Sequence, residues 1–92
     1  MPRLNAADLA TALERLPGWT AANNEIAKTF IFGNFVEAIA FVNRVADLAE
    51  AAGHHPDLDI RYNRVRIALT THDDGGVTDK DAALAREIEG AG

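Results

Sequence analysis

The chain contains no cysteine and no serine. The first absence removes any disulfide framework, any thiolate nucleophile and any zinc–thiolate site, and it suits a reducing compartment. The second removes a serine nucleophile. Basic residues are few: 9 Lys and Arg stand against 14 Asp and Glu, for a net charge of −5. Contact with nucleic-acid phosphates needs a basic face, so no direct nucleic-acid binding is expected. Arg61, Arg64 and Arg66 do cluster, but their near-alternating spacing on a strand marks a solvated face. No apolar run approaches the roughly 20 residues of a membrane span. The opening Met1-Pro2-Arg3-Leu4-Asn5 has no apolar signal core, so a cytoplasmic location is expected and no membrane partner. Gly75-Gly76 is too short to be a phosphate-cradling loop.

What is present is one ordinary domain: 92 residues, 48% hydrophobic and 25% charged. Such a domain builds only a small core, and oligomerisation is one way to supplement it.

The spacing predicts the order helix, two strands, helix, two strands, helix. Asn5 caps a first helix with Leu9, Leu13 and Leu16 on its apolar side, ended by Pro17-Gly18. Trp19–Ala22 reads as a short strand, Asn23-Asn24 as a turn tolerant of positive φ, and Ile26–Phe32 as a second strand. In that strand Ile26, Lys28, Phe30 and Phe32 share a side. Asn34-Phe-Val-Glu37 opens the longest helix, which Gly53 ends. Phe35, Ile39, Val42, Ala46 and Ala49 follow the spacing of one face. Phe41, Val45 and Leu48 add a second row. Two rows cover about half the circumference, which is wide for a helix lying on one sheet. Either the helix sits in a deep core, or the second row packs against a partner subunit. Residues 59–63 and 65–71 read as two more strands, 73–76 as a loop, and Thr78-x-x-Asp81 as the start of a last helix closed by Gly90. Leu84, Ala85 and Ile88 form its inner face. Strands joined by short turns pair antiparallel. The expectation is an α+β domain: a four-stranded, mainly antiparallel sheet with three helices packed on one face.

All 3 histidines fall between residues 54 and 72, in the pattern Glu50-x-x-x-His54-His55-Pro56, Tyr62, His72. Imidazole titrates near neutral pH and can both give and take a proton there. Chance surface placement is the alternative. Pro56 pushes His55 into extended backbone, where neighbours point to opposite sides. His54 and His55 therefore differ in role. Glu50, on the last turn of the long helix, needs a cation nearby to offset the helix dipole, unless it is simply solvated. By strand parity, His72 groups with Thr70 on the polar side. Asp81 shares the inner face of the last helix, and a buried carboxylate needs a partner, for which a histidine is the natural candidate. Asp79 falls on a different side and reads as a first-turn dipole residue. His54 and His55 diverge and no helical i, i+4 ligand pair exists, so a metal site is not expected. General acid–base chemistry on a small molecule remains, worth about 10²–10⁴-fold.

These residues resemble the pterin-4a-carbinolamine dehydratases. The pattern above, continued by Gly76-Val77-Thr78-x-x-Asp81, carries the likeness. Gly18-Trp19, Phe30-Ile-Phe32, Asn34-Phe35, Ala40-Phe41-Val42, Arg44-Val45-Ala46, Tyr62-Asn63-Arg64-Val65 and Leu69-Thr-Thr-His72 extend it from about Leu13 to the last helix. The resemblance implies dehydration of 4a-hydroxytetrahydropterin to quinonoid dihydropterin, recycling the tetrahydrobiopterin of aromatic amino acid hydroxylases. It implies no metal and no organic cofactor, pterin being the substrate. By the same resemblance His54 and His72 are the acid–base pair and His55 binds and orients substrate. Glu50 and Asp81 support the imidazoles, and Thr70, Thr71 and Asp73 contact the pterin, partly through backbone. Trp19 is either a wall of the pocket or plain core. The family's members are dimers or tetramers, and animal members also serve as transcription coactivators through protein contacts. A pterin of the molybdopterin type is a further candidate substrate. Asp57-Leu58, expected to precede the third strand, departs from relatives that carry an aromatic there.

Overall fold

A computed structural model describes residues 2–92. Its elements follow the expected order: α1 (Ala6–Glu14), β1 (Thr20–Ala22), β2 (Glu25–Ile31), α2 (Phe35–Ala52), β3 (Asp57–Arg61), β4 (Arg64–Leu69) and α3 (Asp79–Ala91). The strands form one antiparallel sheet in the order β1-β2-β4-β3. Asn23 and Asn24, with φ of 54° and 64°, make the β1–β2 turn, the backbone that two-residue hairpins require. Asn5 and Asn34 cap α1 and α2 through their side chains, as their positions indicate.

Alternation places Val65, Ile67 and Leu69 of β4 inward and leaves Arg64 and Arg66 exposed. Opposite Val65 and Leu69 in register stand Phe30 and Ile26 of β2, both buried. Leu84, Ala85 and Ile88 of α3 close the core as expected. Phe41 of α2 stacks against Phe30 and Phe32, with ring centroids 4.7 and 4.9 Å away. Trp19 is core, edge-on to Phe30, and its Nε1 donates to Glu89 Oε1 at 2.7 Å.

Several expectations are corrected. The core face of α2 is Ala38, Phe41, Val45 and Ala49; Phe35 and Ala46 of the row read as inward are exposed. Both rows satisfy helical spacing, and the aromatic stack on Phe41 selects between them. Phe41 and Val45 of the second row therefore lie in the core of this chain, with Leu48 half-buried beside them. The first helix stops at Glu14, so Leu16 packs from the turn beyond it; the position before Pro17 disfavours helix. The third strand lies two residues earlier than expected, and the fourth starts one residue and ends two residues earlier, because Tyr62-Asn63 is a turn, with Tyr62 at φ 51°. Asn63 holds that turn in place by donating Nδ2–H to the Phe32 carbonyl at 2.9 Å. Asp57-Leu58 consequently lies inside β3, not before it. Gly90 is within α3, which runs on to Ala91.

Candidate active site

The site is assembled where α2 ends, β4 ends and α3 begins. Gly53 adopts φ 62°, a left-handed conformation that terminates α2. Its N–H donates to the Glu50 carbonyl at 3.2 Å, and the His54 N–H donates to the Ala49 carbonyl at 3.1 Å. This paired closure fixes the direction in which the chain leaves the helix. His54 is thereby turned inward and His55 outward, as the pre-proline geometry requires.

His54 is 12% exposed at its side chain, and its Nε2 lies 2.5 Å from Oδ1 of the fully buried Asp81. Asp81 is the third residue of α3, and its Oδ2 accepts the Thr78 N–H and the Thr71 hydroxyl, each at 2.9 Å. Thr71 and Thr78 hydroxyls lie 2.8 Å apart. One carboxylate therefore closes the capping box of α3 and anchors an imidazole. The expected histidine partner of Asp81 is His54, and strand parity does not govern His72. β4 has ended at Leu69, and His72 starts a single 3₁₀ turn, His72–Asp74, closed by Gly75 at φ 71°.

His55 Nε2 is hydrogen-bonded to Glu50 Oε2, both side chains being mostly exposed. Glu50 thus has the cation partner that its place at a helix C-terminus calls for when His55 is protonated. Thr70 donates its hydroxyl to the Asn24 carbonyl at 2.7 Å. The hydroxyls of Thr70 and Thr71 are therefore both committed within the protein.

An open cleft of about 320 Å³ is lined by Gly53, His54, His55, Thr70, Thr71, His72, Asp73 and Lys80. Three imidazoles and a carboxylate thus converge on one space with donors and acceptors on several sides. A neighbouring cavity of about 410 Å³ shares His54 and Lys80 but is walled by Ala52, Ala83 and Leu84. It lacks His55 and His72, so the three imidazoles meet in the smaller cleft. Sequence reasoning did not single out Lys80. Nothing in its spacing marks it; only the fold brings it to the rim of both spaces. Thr78 was legible as a helix cap but not as part of the His54 support. Among the described residues, no group of three His, Cys, Asp or Glu side chains is placed to hold a metal ion. No helix there is long and apolar enough to cross a membrane.

Comparison with known proteins finds a matching family and similar chains. The family described as Pterin 4 alpha carbinolamine dehydratase matches residues 2–91. A Chloroflexus aurantiacus protein provisionally named pterin-4-alpha-carbinolamine dehydratase is 64% identical over 89 residues, covering 97% of this chain and 96% of that one. A similarly named Thermomicrobium roseum protein is 54% identical over 88 residues, covering 96% and 95%. Among solved structures, a Brucella melitensis protein described as a transcriptional coactivator/pterin dehydratase superposes with a TM-score of 0.94 at 35% identity, covering 97% of each chain. A pterin dehydratase-like RuBisCO assembly factor of the alpha-carboxysome shares the fold at a TM-score of 0.67 and 23% identity, covering 79% of this chain and 84% of that one.

Proposed function

The chain belongs to the pterin 4 alpha carbinolamine dehydratase family, and we propose that it dehydrates a 4a-hydroxytetrahydropterin to quinonoid dihydropterin by histidine acid–base catalysis. The observation that carries the reading is the convergence of His54, His55 and His72 on one cleft, with His54 held by a buried carboxylate. Loss of water requires a proton delivered to the departing hydroxyl and one withdrawn from the adjacent ring nitrogen. His54 and His72 serve as that pair. Imidazole suits both halves, because it exchanges protons near neutral pH. His55 orients the substrate, with Glu50 fixing its ring. Asp81 orients His54. Asp73 and the backbone of Thr70 and Thr71 border the pterin. No metal or organic cofactor takes part in this scheme.

In the cell the reaction would be the dehydration step of tetrahydrobiopterin recycling in the cytoplasm, carried out by a homodimeric or homotetrameric enzyme, with a separate reductase returning the quinonoid product to the tetrahydro form. The test is dehydration of synthetic carbinolamine by purified protein, followed by absorbance. A rate well above buffer is expected; a rate equal to buffer removes the proposal. A molybdopterin-type substrate is tested in the same assay by substitution of the pterin.

A second reading rests on a different part of the molecule. Ile31, Val36 and Tyr62 are 63%, 74% and 66% exposed, and Phe35 is 48% exposed. Exposed apolar side chains would suit protein contacts if they form one patch, as a coactivator-like module would need. A specific partner retained by a variant lacking the histidines is the result that favours it.

A further inference from the structure

The hydrogen bonds beneath His54 have a direction that can be worked out atom by atom. A carboxylate only accepts, and a hydroxyl carries one hydrogen. Asp81 accepts from three groups: His54 Nε2, the Thr71 hydroxyl and the Thr78 N–H. The Thr71 hydrogen is thereby used. In the 2.8 Å contact between the two threonine hydroxyls, Thr78 must then be the donor. Thr78 Oγ1 in turn accepts the Lys80 N–H at 3.3 Å. The donors run one way from the first turn of α3 through Thr78 and Thr71 to Asp81 Oδ2, and the other carboxylate oxygen accepts the Nε2–H of His54 from the opposite side. Thr71, Thr78 and Asp81 are 7%, 0% and 0% exposed, so water does not compete.

Among the described residues the other ring nitrogen of His54 has no hydrogen-bond partner, and no buried side-chain nitrogen or oxygen lacks one. Nδ1 therefore reaches open space, and His54 borders the cleft. We propose that Thr71 is a positioning residue: it keeps the Asp81 carboxylate set against His54 Nε2, the carboxylate fixes the Nε2–H tautomer, and Nδ1 is the atom that exchanges a proton with the substrate. The idea rests on the dehydratase reading for its consequence but not for its structure. The helix cap and the tautomer are one device. Folding of the first turn of α3 sets which nitrogen is free.

The direct test is nitrogen-15 NMR of the imidazoles in the full-length protein without ligand, at a pH where His54 is neutral. The wild type is expected to show His54 with its hydrogen on Nε2. Thr71→Val keeps the shape and removes the hydroxyl; the carboxylate, released on its Oδ2 side, is expected to turn from His54 and leave a mixture of tautomers. In the dehydration assay the same variant is expected to lose about tenfold in kcat, the worth of one hydrogen bond to a charged group. KM should change less than about twofold, because binding groups are untouched. Thr71→Ser should restore both readouts. An Nδ1–H tautomer in the wild type overturns the proposal whether or not any variant folds. So does a Thr71→Val protein with a single Nε2–H tautomer and wild-type kcat. A wild type without dehydratase activity but with the Nε2–H tautomer removes the function and leaves the device standing.

Discussion

Replacing Asp81 with Asn separates support of the fold from support of the chemistry. Both side chains have the same shape, but Asn offers one acceptor oxygen where Asp offers two. Three donors converge on Asp81: His54 Nε2 at 2.5 Å, Thr71 Oγ1 at 2.9 Å and Thr78 N at 2.9 Å. The Thr78 N–H cannot reverse, whereas a neutral imidazole can move its hydrogen to the other nitrogen. In the Asp81→Asn variant the new amide NH2 therefore turns toward His54, and His54 becomes the Nδ1–H tautomer. The fold loses one charge-assisted hydrogen bond, about 1.5–3 kcal/mol. At roughly 4–8 °C per kcal/mol for a domain of this size, Tm falls by about 6–24 °C. Activity falls further, by about 10²-fold, because the wrong nitrogen faces the substrate. Asp81→Ala takes the acceptor from the Thr71 hydroxyl and the Thr78 N–H in a buried place, removes the anchor of His54, and costs about 3–5 kcal/mol. Urea titration gives the stability and single-turnover dehydration, run where each variant is folded, gives the rate. Asp81→Asn with a wild-type rate would refute the reasoning, whatever its Tm.

Other consequences follow from the same contacts. Phe41→Ala removes the ring that stacks on Phe30 and Phe32 and should cost about 3–5 kcal/mol by urea titration. Gly53→Ala meets no atom within 4 Å but must hold φ 62°, so its cost should be about 1–2 kcal/mol with a weakened His54–Asp81 contact, read from stability and kcat together. Tyr62→Gly relieves a left-handed aromatic residue at φ 51° and should raise stability by up to about 1 kcal/mol. Glu50→Ala removes a mostly exposed pair and should change stability by less than about 1 kcal/mol while raising KM, since the His55 ring loses its anchor.

Much of this site could be read from the residues, and the parts that could not have physical causes. Element order followed from caps and turns whose chemistry is local: Asn5, Asn34, Gly53 and Thr78 each act on backbone within a few residues. The split between His54 and His55 followed from Pro56 alone. The core face of α2 did not, because two apolar rows both fit helical spacing and only the rings of Phe30 and Phe32, distant in sequence, choose Phe41. Tyr62 falls within residues read as strand, while the turn it makes depends on Asn63 reaching the Phe32 carbonyl across the sheet. The inward face of Asp81 was legible, but its partner was not. His54 and Asp81 are 27 residues apart, and strand parity for His72 lost its meaning once β4 ended at Leu69. Lys80 at the cleft rim and the one-way threonine chain exist only in three dimensions.

The central claim is that His54 and His72 move the protons. Its most direct measurement is the rate of carbinolamine dehydration by the wild type, His54→Ala and His72→Ala under single-turnover conditions, with circular dichroism confirming each fold. The account predicts a fast wild type and a loss of about 10²-fold or more in each variant. A wild type no faster than buffer, or variants that keep the wild-type rate, would contradict it.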